Sequence, residues 1–531
     1  MRNFEKPTRS VAVSAKAMAA TSHPYATLTA VNILQTGGNA MDAAIAACAV
    51  QCVVEPGSTG IGGDCFALYA PKGGADVIAY NGSGRTPKAL TIEWFEERGL
   101  SEVPRQSPSA VTIPGAIDAW TRLHADHGRL PLAEVLAPAI RYAEEGYAIT
   151  PRVHRDWAQE EKLLAADKAA AEIFLPGGRA PRIGEMHRQP KLAATLRRIA
   201  AEGRDGFYTG PVAADMVAHL NAHGGLHTLE DFAAAKGEYV TPVTTTFRGH
   251  TIHECPPNGQ GIIALLILNI LSCFDNQLAP GSPDRLHLEI EATRLAYAAR
   301  DAWIADPDKA DVPVDELLSE DFARRLAGMI DLTRALTELP DFEMPLHRDT
   351  VYISIVDEER NAVSFINSIF DSFGTGLVAP ESGVILHNRG QSFSLERGHP
   401  NMIAPEKRPL HTIIPGMVTR NGRTELSFGV MGGYYQAMGH AHLVSKVVDY
   451  GMDMQDAIDL PRLIPVGGKA PRVEAEHTVP MATVAELTRR GFEIVPAEDP
   501  IGGAQIIRID WDNGTLTGAS ESRKDGIALG Y

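Results

Sequence analysis

Asp349-Thr350-Val351-Tyr352-Ile353-Ser354-Ile355-Val356-Asp357 is the stretch on which the reading of this chain turns. Val351, Ile353 and Ile355 fall on one face of an extended backbone, the alternation of a half-buried strand. A charged turn, Glu358-Glu359-Arg360, separates it from a second run at 361–369, so the two predict a β-hairpin. An Asp-Thr pair by itself carries little information, because β-branched residues commonly begin strands. Its surroundings carry more.

Downstream come Phe373-Gly374-Thr375-Gly376, Pro380-Glu381-Ser382-Gly383, Leu386-His387-Asn388, Lys407-Arg408-Pro409-Leu410 and Met431-Gly432-Gly433. Upstream lie Gly37-Gly38-Asn39-Ala40-Met41-Asp42-Ala43-Ala44, Val54-Glu55-Pro56 and Gly60-Ile61-Gly62-Gly63, and the chain closes with Gly518-Ala519-Ser520 and the segment 526–531. In this order and spacing the sequence, from about residue 19 to 531, resembles the γ-glutamyltransferase family of N-terminal-nucleophile hydrolases. Each motif alone is a weak signal; the ordered set is a strong one. The resemblance implies an α+β fold, a four-layer αββα sandwich with two stacked, mainly antiparallel sheets between helical layers. It also implies a proenzyme cut between Asp349 and Thr350 into a large α subunit, 1–349, and a small catalytic β subunit, 350–531, intertwined as one domain. The implied activity is that of a self-cleaving threonine amidohydrolase or acyltransferase, glutathione hydrolase-like, acting on γ-glutamyl or similar small anionic amides.

Bulk properties agree with a globular enzyme. The 531 residues are 44% apolar and 22% charged, and the formal net charge is −17. Length alone suggests about three domains, although large layered folds run long without dividing. The acidic balance argues against nucleic acid or an anionic membrane as partner. Cys48 and Cys52 lie four apart on an apolar helical run and read as small packing groups, and the remaining three cysteines are scattered. With no Cys-x-x-Cys and no zinc spacing, neither redox chemistry nor a metal site is expected, and no cofactor. Residues 12–20 are small and interrupted by Ser14 and Lys16, which predicts no secretory signal, and no stretch is long and apolar enough for a membrane helix. A cytoplasmic location follows as the expectation.

Helical periodicity predicts helices at 25–35 and 39–53, then at 114–125, 131–145, 191–203, 211–224, 261–273 and 286–299, with another opening at Leu229. Strands are expected at 65–69, 77–80, 241–247, 251–254 and 426–430. Many helices, with short strands at both ends of the chain, predict two sheets sandwiched between helical layers. The segment 305–347, rich in Asp, Pro and Glu, is expected to be the most loosely held. Residues 57–63 form a glycine-rich loop that lacks the Lys-Ser/Thr of a phosphate cradle; tight turns beside a buried strand are its simpler use.

A threonine hydroxyl is a poor nucleophile until a base stands beside it, and the freed α-amine of a chain-starting threonine is such a base. Maturation would proceed by attack of the Thr350 hydroxyl on the Asp349 carbonyl, an N-to-O acyl shift and hydrolysis. Ser368 falls where the family places a hydroxyl bonded to the nucleophile, and Gly432-Gly433 matches the pair forming the oxyanion hole. Without the resemblance, two glycines after an apolar strand read as a turn. Arg85 matches the family's carboxylate-binding arginine, a role suited to a bidentate guanidinium, although an arginine at a strand end is ordinarily solvated. No Gly-x-Ser-x-Gly or His-Glu-x-x-His offers a rival centre.

Departures from the family fall in the acyl pocket. Where the family holds the γ-glutamyl ammonium with Asn, Gln or Glu, and Asp, this chain has Phe370, Arg389 and Ser392, and the serine pair after Lys-Arg-Pro-Leu is His411-Thr412. A cation at 389 repels an ammonium. Arg85 and Arg389, with Ser392, His411 and Thr412 nearby, instead favour a small anionic acyl group such as oxamate or another dicarboxylic monoamide. The stretch 395–406 is short for the family's lid loop, so an open pocket is expected. The partners expected are a small-molecule amide and the chain's own two fragments as a heterodimer, with a dimer of those, (αβ)2, as an option. A non-catalytic small-acid-binding relative remains the other class of reading.

Overall fold

Two facing sheets organise the chain, and Thr350 stands at the start of a strand in the middle of one of them. The structure, a computed structural model, describes residues 8–275, 277–339, 350–466 and 470–531. The first sheet runs Ile527–Gly530, Met18–Thr21, Val351–Val356, Ala362–Ser368, Asp64–Ala70, Ile78–Gly82, Glu238–Val240 in spatial order. The second runs Ala12–Ser14, Thr515–Ser520, Gly503–Asp510, Arg423–Met431, Gly416–Arg420, His250–Glu254, Val243–Phe247. Every pairing within these two sheets is antiparallel. Both sheets combine strands from before and after Thr350, and Met18–Thr21 pairs with Val351–Val356 on one side and Ile527–Gly530 on the other.

The hairpin forms as its sequence predicts, with Val351 opposite Asn367 and Val356 opposite Ala362. Its first strand is not half-buried, however. All six residues of Val351–Val356 are buried, because the sheet is covered on both faces. Tyr352 and Val356 enter the layer between the sheets with Phe66, Ile366, Met417 and Ile507. Ile353 and Ile355 face a helical layer that includes Ala43, Ala47 and Val50. The helices Gly261–Ser272 and Tyr435–Tyr450 cover the other sheet. This is the αββα sandwich.

The helix Ala40–Val54 shows why the covering layer sits so close. Asn39 caps it by accepting from the Met41 and Asp42 amides, Asp42 bonds back to the Asn39 amide, and all 15 helical residues are buried. Small side chains let the helix axis approach the sheet. In the segment 305–347, expected to be loose, Val314–Leu317 and Glu320–Ala327 are helical with Leu317, Ala323 and Ala327 buried; acidic composition had masked their apolar faces. Residues 340–347 and Asp349 lie outside the described residues. The strands Gly503–Asp510 and Thr515–Ser520 and a separate sheet of Leu463–Pro465, Arg472–Ala475 and Glu493–Pro496 were not legible as strands. Among the described residues no helix is long and apolar enough to cross a membrane.

Candidate active site

Antiparallel pairing of Val351 with Asn367 sets Thr350 opposite Ser368, one step further out. The Thr350 hydroxyl donates to Ser368 Oγ at 3.2 Å and accepts from Gln436 Nε2 at 3.4 Å. Ser368 Oγ also receives the Phe370 amide at 2.9 Å and Arg389 Nη2 at 3.2 Å. Three polar neighbours converging on one hydroxyl, two lone pairs shared among them, fix its position. Thr350 and Arg389 are 1% and 0% exposed, so the open pocket expected from the short 395–406 stretch is not what surrounds them.

Arg389 opens the short helical turn Arg389–Ser392. Its Nη1 donates to Thr412 Oγ1 at 2.7 Å, so the guanidinium joins two of the expected site residues, Ser368 and Thr412. Burial lowers its pKa to about 10, which leaves it charged at neutral pH. Among the described residues no carboxylate forms a direct ion pair with it, and Nε makes no hydrogen bond. A desolvated cation in this state favours an anion.

The carboxylate acting most strongly on Arg389 is Asp64, directly after the glycine-rich loop. Its Oδ1 accepts the amides of Gly84 and Gly115 at 3.1 and 3.0 Å, and its Oδ2 accepts His411 Nε2 at 2.9 Å. Although burial opposes its charge, His387, His411 and Arg389 hold the Asp64 carboxyl below the usual range. Burial, followed by the Arg389 charge, pulls His411 down to about 3. His411 is therefore a neutral donor to Asp64. In that state His411 adds no positive charge of its own for an anionic substrate. The loop glycines serve close approach: a Cβ on Gly63 would stand 2.2 Å from the Ser368 carbonyl oxygen.

Two other expected binding residues are engaged elsewhere. Arg85 Nη1 and Nη2 bond Asp306 at 3.0 Å and Asp308 at 2.7 Å, and Nη1 also reaches the Glu406 carbonyl. Two carboxylates already balance it, and its side chain lines a separate cavity of about 220 Å³ with Lys236 and Glu406. The Ser392 hydroxyl is bonded to the backbone carbonyls of Arg389 and Leu410 at 2.8 and 2.7 Å, tying the turn to the following segment. Position within a motif places the backbone of Arg85 and Ser392 but does not fix where either side chain turns.

Gly432 and Gly433 follow the strand Arg423–Met431 with φ of +120° and +56°, conformations that a side chain disfavours. Gln260 Nε2 bonds the Gly433 carbonyl at 3.0 Å and the Thr412 carbonyl at 2.8 Å, linking this turn to the Arg389 side of the site. Gln436, three residues after Gly433 and in the first turn of the helix Tyr435–Tyr450, returns to Thr350. Asp64, Gln260 and Gln436 were missed. A lone carboxylate ending Gly-Ile-Gly-Gly was the available sign for Asp64; an amide at the start of a helix offers none.

Residues 26–531 match the family model described as Gamma-glutamyltranspeptidase. The chain is 37% identical over 526 residues to the Glutathione hydrolase-like YwrD proenzyme of Bacillus subtilis (strain 168), covering 98% of this chain and 99% of that protein. It is 35% identical over 531 residues to the Oxamate amidohydrolase proenzyme of Klebsiella pneumoniae subsp. pneumoniae, again with 98% and 99% covered. The crystal structure of a cephalosporin acylase from Bacillus halodurans is similar with a TM-score of 0.93 and 40% identity, covering 100% of this chain and 99% of that one.

Proposed function

This chain belongs to the γ-glutamyltranspeptidase family of hydrolases and acyltransferases, and from that premise we propose that it cleaves itself before Thr350 and then hydrolyses small anionic amides. The observation that carries the proposal is the hydrogen-bonded chain Thr350–Ser368–Arg389–Thr412, in which a buried hydroxyl at a strand start adjoins a buried cation. In the uncut chain the Thr350 Oγ1 would attack the carbonyl carbon of residue 349, and the peptide C–N bond breaks as its nitrogen takes a proton. Water then splits the resulting ester, leaving 1–349 with a new carboxyl group and 350–531 with a free α-amine.

That amine is the base of the mature enzyme. It would take the Thr350 hydroxyl proton as Oγ1 attacks the substrate amide, and return it to the departing amine. The acyl-Thr350 ester is then released by water, or by an acceptor amine in transfer. The turn at Gly432-Gly433 supports an oxyanion hole, since the backbone there can approach developing charge with no Cβ in the way. Arg389 would hold the substrate carboxylate, and the Phe370 ring beneath it offers an ammonium no hydrogen-bond acceptor.

Relatives named for oxamate amidohydrolase and for glutathione hydrolase-like activity are compatible with two acyl groups. Arg389 and Phe370 favour the first, a carboxylate without a neighbouring ammonium. A γ-glutamyl substrate is the second reading, and family membership is what supports it. The mature form would be a heterodimer of the two fragments.

The test begins with the denatured mass of the purified protein beside Thr350→Ala. Two fragments of 349 and 182 residues, absent from the variant, are expected. An uncut wild-type chain would favour a non-catalytic small-acid-binding protein. With cleavage established, kcat/KM on oxamate and on glutathione separates the two acyl readings. Glutathione cleaved as efficiently as oxamate would defeat the anionic-amide reading.

A further inference from the structure

In the helical layer outside the first sheet, away from the hydrogen-bonded chain at Thr350, three side chains converge from two helices. Asp167 caps the helix Lys168–Phe174 through its Oδ1, which accepts the Ala170 amide at 2.8 Å. His219, on Gly210–Ala222, and His223 just beyond that helix's end stand one helical turn apart on the same side. Asp167 Oδ2 lies 3.1 Å from His219 Nε2 and 3.9 Å from His223 Nε2, and the three candidate ligand atoms lie within 4.8 Å of one another.

From this cluster we infer a binding site for a divalent transition-metal ion of the zinc class, formed by Asp167, His219 and His223. With metal–nitrogen and metal–oxygen bonds of about 2.1 Å, tetrahedral ligand atoms stand about 3.4 Å apart, close to the spacing present here. His223 Nδ1 lies 2.9 Å from the His219 carbonyl oxygen. Donation from Nδ1 to that carbonyl puts the lone pair on Nε2, the atom that faces Asp167. A backbone carbonyl orienting a ligating imidazole is the usual outer support of such sites. Asp167 is likewise positioned by its cap, so only Oδ2 turns to the imidazoles. Two nitrogens and one carboxylate oxygen suit Zn²⁺, Co²⁺ or Ni²⁺ better than Mg²⁺ or Ca²⁺.

Burial grades from Asp167 at 3% side-chain exposure through His219 at 11% to His223 at 41%. The site therefore has an entry path, and solvent water can complete the coordination. Bound metal would fasten the end of Gly210–Ala222 to the start of Lys168–Phe174. Cysteine spacing gives no sign of such a site, because its ligands are histidines and an aspartate 52 residues before the first of them, by the difference of 219 and 167.

The test uses the full protein, free of affinity tag and stripped of metal by chelation. Zn²⁺ is titrated in competition with a chromophoric chelator, and Co²⁺ is followed by its visible d–d absorption. One equivalent is expected to bind with a Kd on the order of micromolar or tighter. The double variant His219→Ala/His223→Ala should weaken binding at least about 100-fold and abolish the Co²⁺ bands. Asp167→Asn, which keeps an oxygen for the Ala170 amide, should weaken it roughly tenfold or more. His223→Gln, at the most exposed position, guards against loss of fold as the cause and should also bind more weakly. Either parent-like affinity in the double variant, or no stoichiometric Zn²⁺ binding below about 1 mM, overturns the site and leaves an imidazole–carboxylate cluster.

Discussion

The Arg389 guanidinium lies 4.1 Å from the centre of the Phe370 ring, and Phe370 holds that place with a backbone φ of +79°. A bulky residue in the left-handed region costs on the order of 1–3 kcal/mol, and such strain persists where the surroundings over-determine it. Here the Phe370 amide is fixed to Ser368 Oγ at 2.9 Å. The aromatic face offers the cation an attractive surface without supplying a counter-ion. The strained residue thus joins the Thr350 partner to the charge proposed to select the substrate.

If Arg389 holds the substrate carboxylate, Arg389→Lys will raise KM for an anionic amide by roughly 10- to 100-fold, since an ammonium cannot reproduce the planar fork. Arg85→Ala should change KM by less than about threefold, because Asp306 and Asp308 already occupy Arg85. Steady-state kinetics on the two variants decides this. Equal effects would return Arg85 to the substrate site.

Ser368→Ala removes the oxygen that meets Thr350 Oγ1, Arg389 Nη2 and the Phe370 amide together. Fragment formation and turnover by the mature enzyme should both slow by about 10- to 100-fold. A mass-spectrometric time course of cleavage is the readout, and parent-like processing would show that Ser368 does not serve Thr350.

A methyl group on Gly432 would stand 2.8 Å from Gly502 Cα, at a φ of +120°. Shifting this turn displaces the amides assigned to the oxyanion. Gly432→Ala should lower kcat by about 10²- to 10³-fold with a much smaller change in KM. A fall confined to KM would count against that assignment.

Acid should destabilise the fold from about pH 6.5 downward. Burial holds His411 at about 3 and His187 at about 4, against about 6.5 for an unfolded imidazole. Because the folded values are depressed, the unfolded chain binds these protons first. The contribution of each is whole above the unfolded value and is lost as pH falls toward the folded one. Each such histidine removes about 1.4 kcal/mol per pH unit in that window. In urea unfolding, His411→Gln should lessen the pH slope by about one proton; an unchanged slope would mean that His411 does not stay neutral.

Local sequence made much of the frame legible. The hairpin after Thr350, the capped Ala40–Val54 helix and the apolar Gly261–Ser272 helix each follow from periodicity and end signals within one segment. The late strand Gly503–Asp510 escaped, since a strand largely buried on both faces need not alternate, and Thr515–Ser520 escaped because its single large apolar residue, Leu516, gives no pattern. Among site residues, Ser368, Arg389 and Thr412 converge beside Thr350, while Arg85 and Ser392 turn to other partners. Position in a motif fixes where a backbone lies. Rotamer and competing partners fix where its side chain points.

By itself, then, the sequence determined the order of the family's motifs, the choice of Thr350 as candidate nucleophile and the presence of Phe370 and Arg389 where the resemblance implies ammonium-binding residues. Those are properties of residue identity and spacing. Only the tertiary structure decided that burial beside Arg389 holds His411 neutral, that Gln436 reaches Thr350, and that Asp167 meets His219 and His223. Each of these joins residues from elements distant in the chain. Their charge state and orientation come from burial and hydrogen bonding that exist only once the layers have packed.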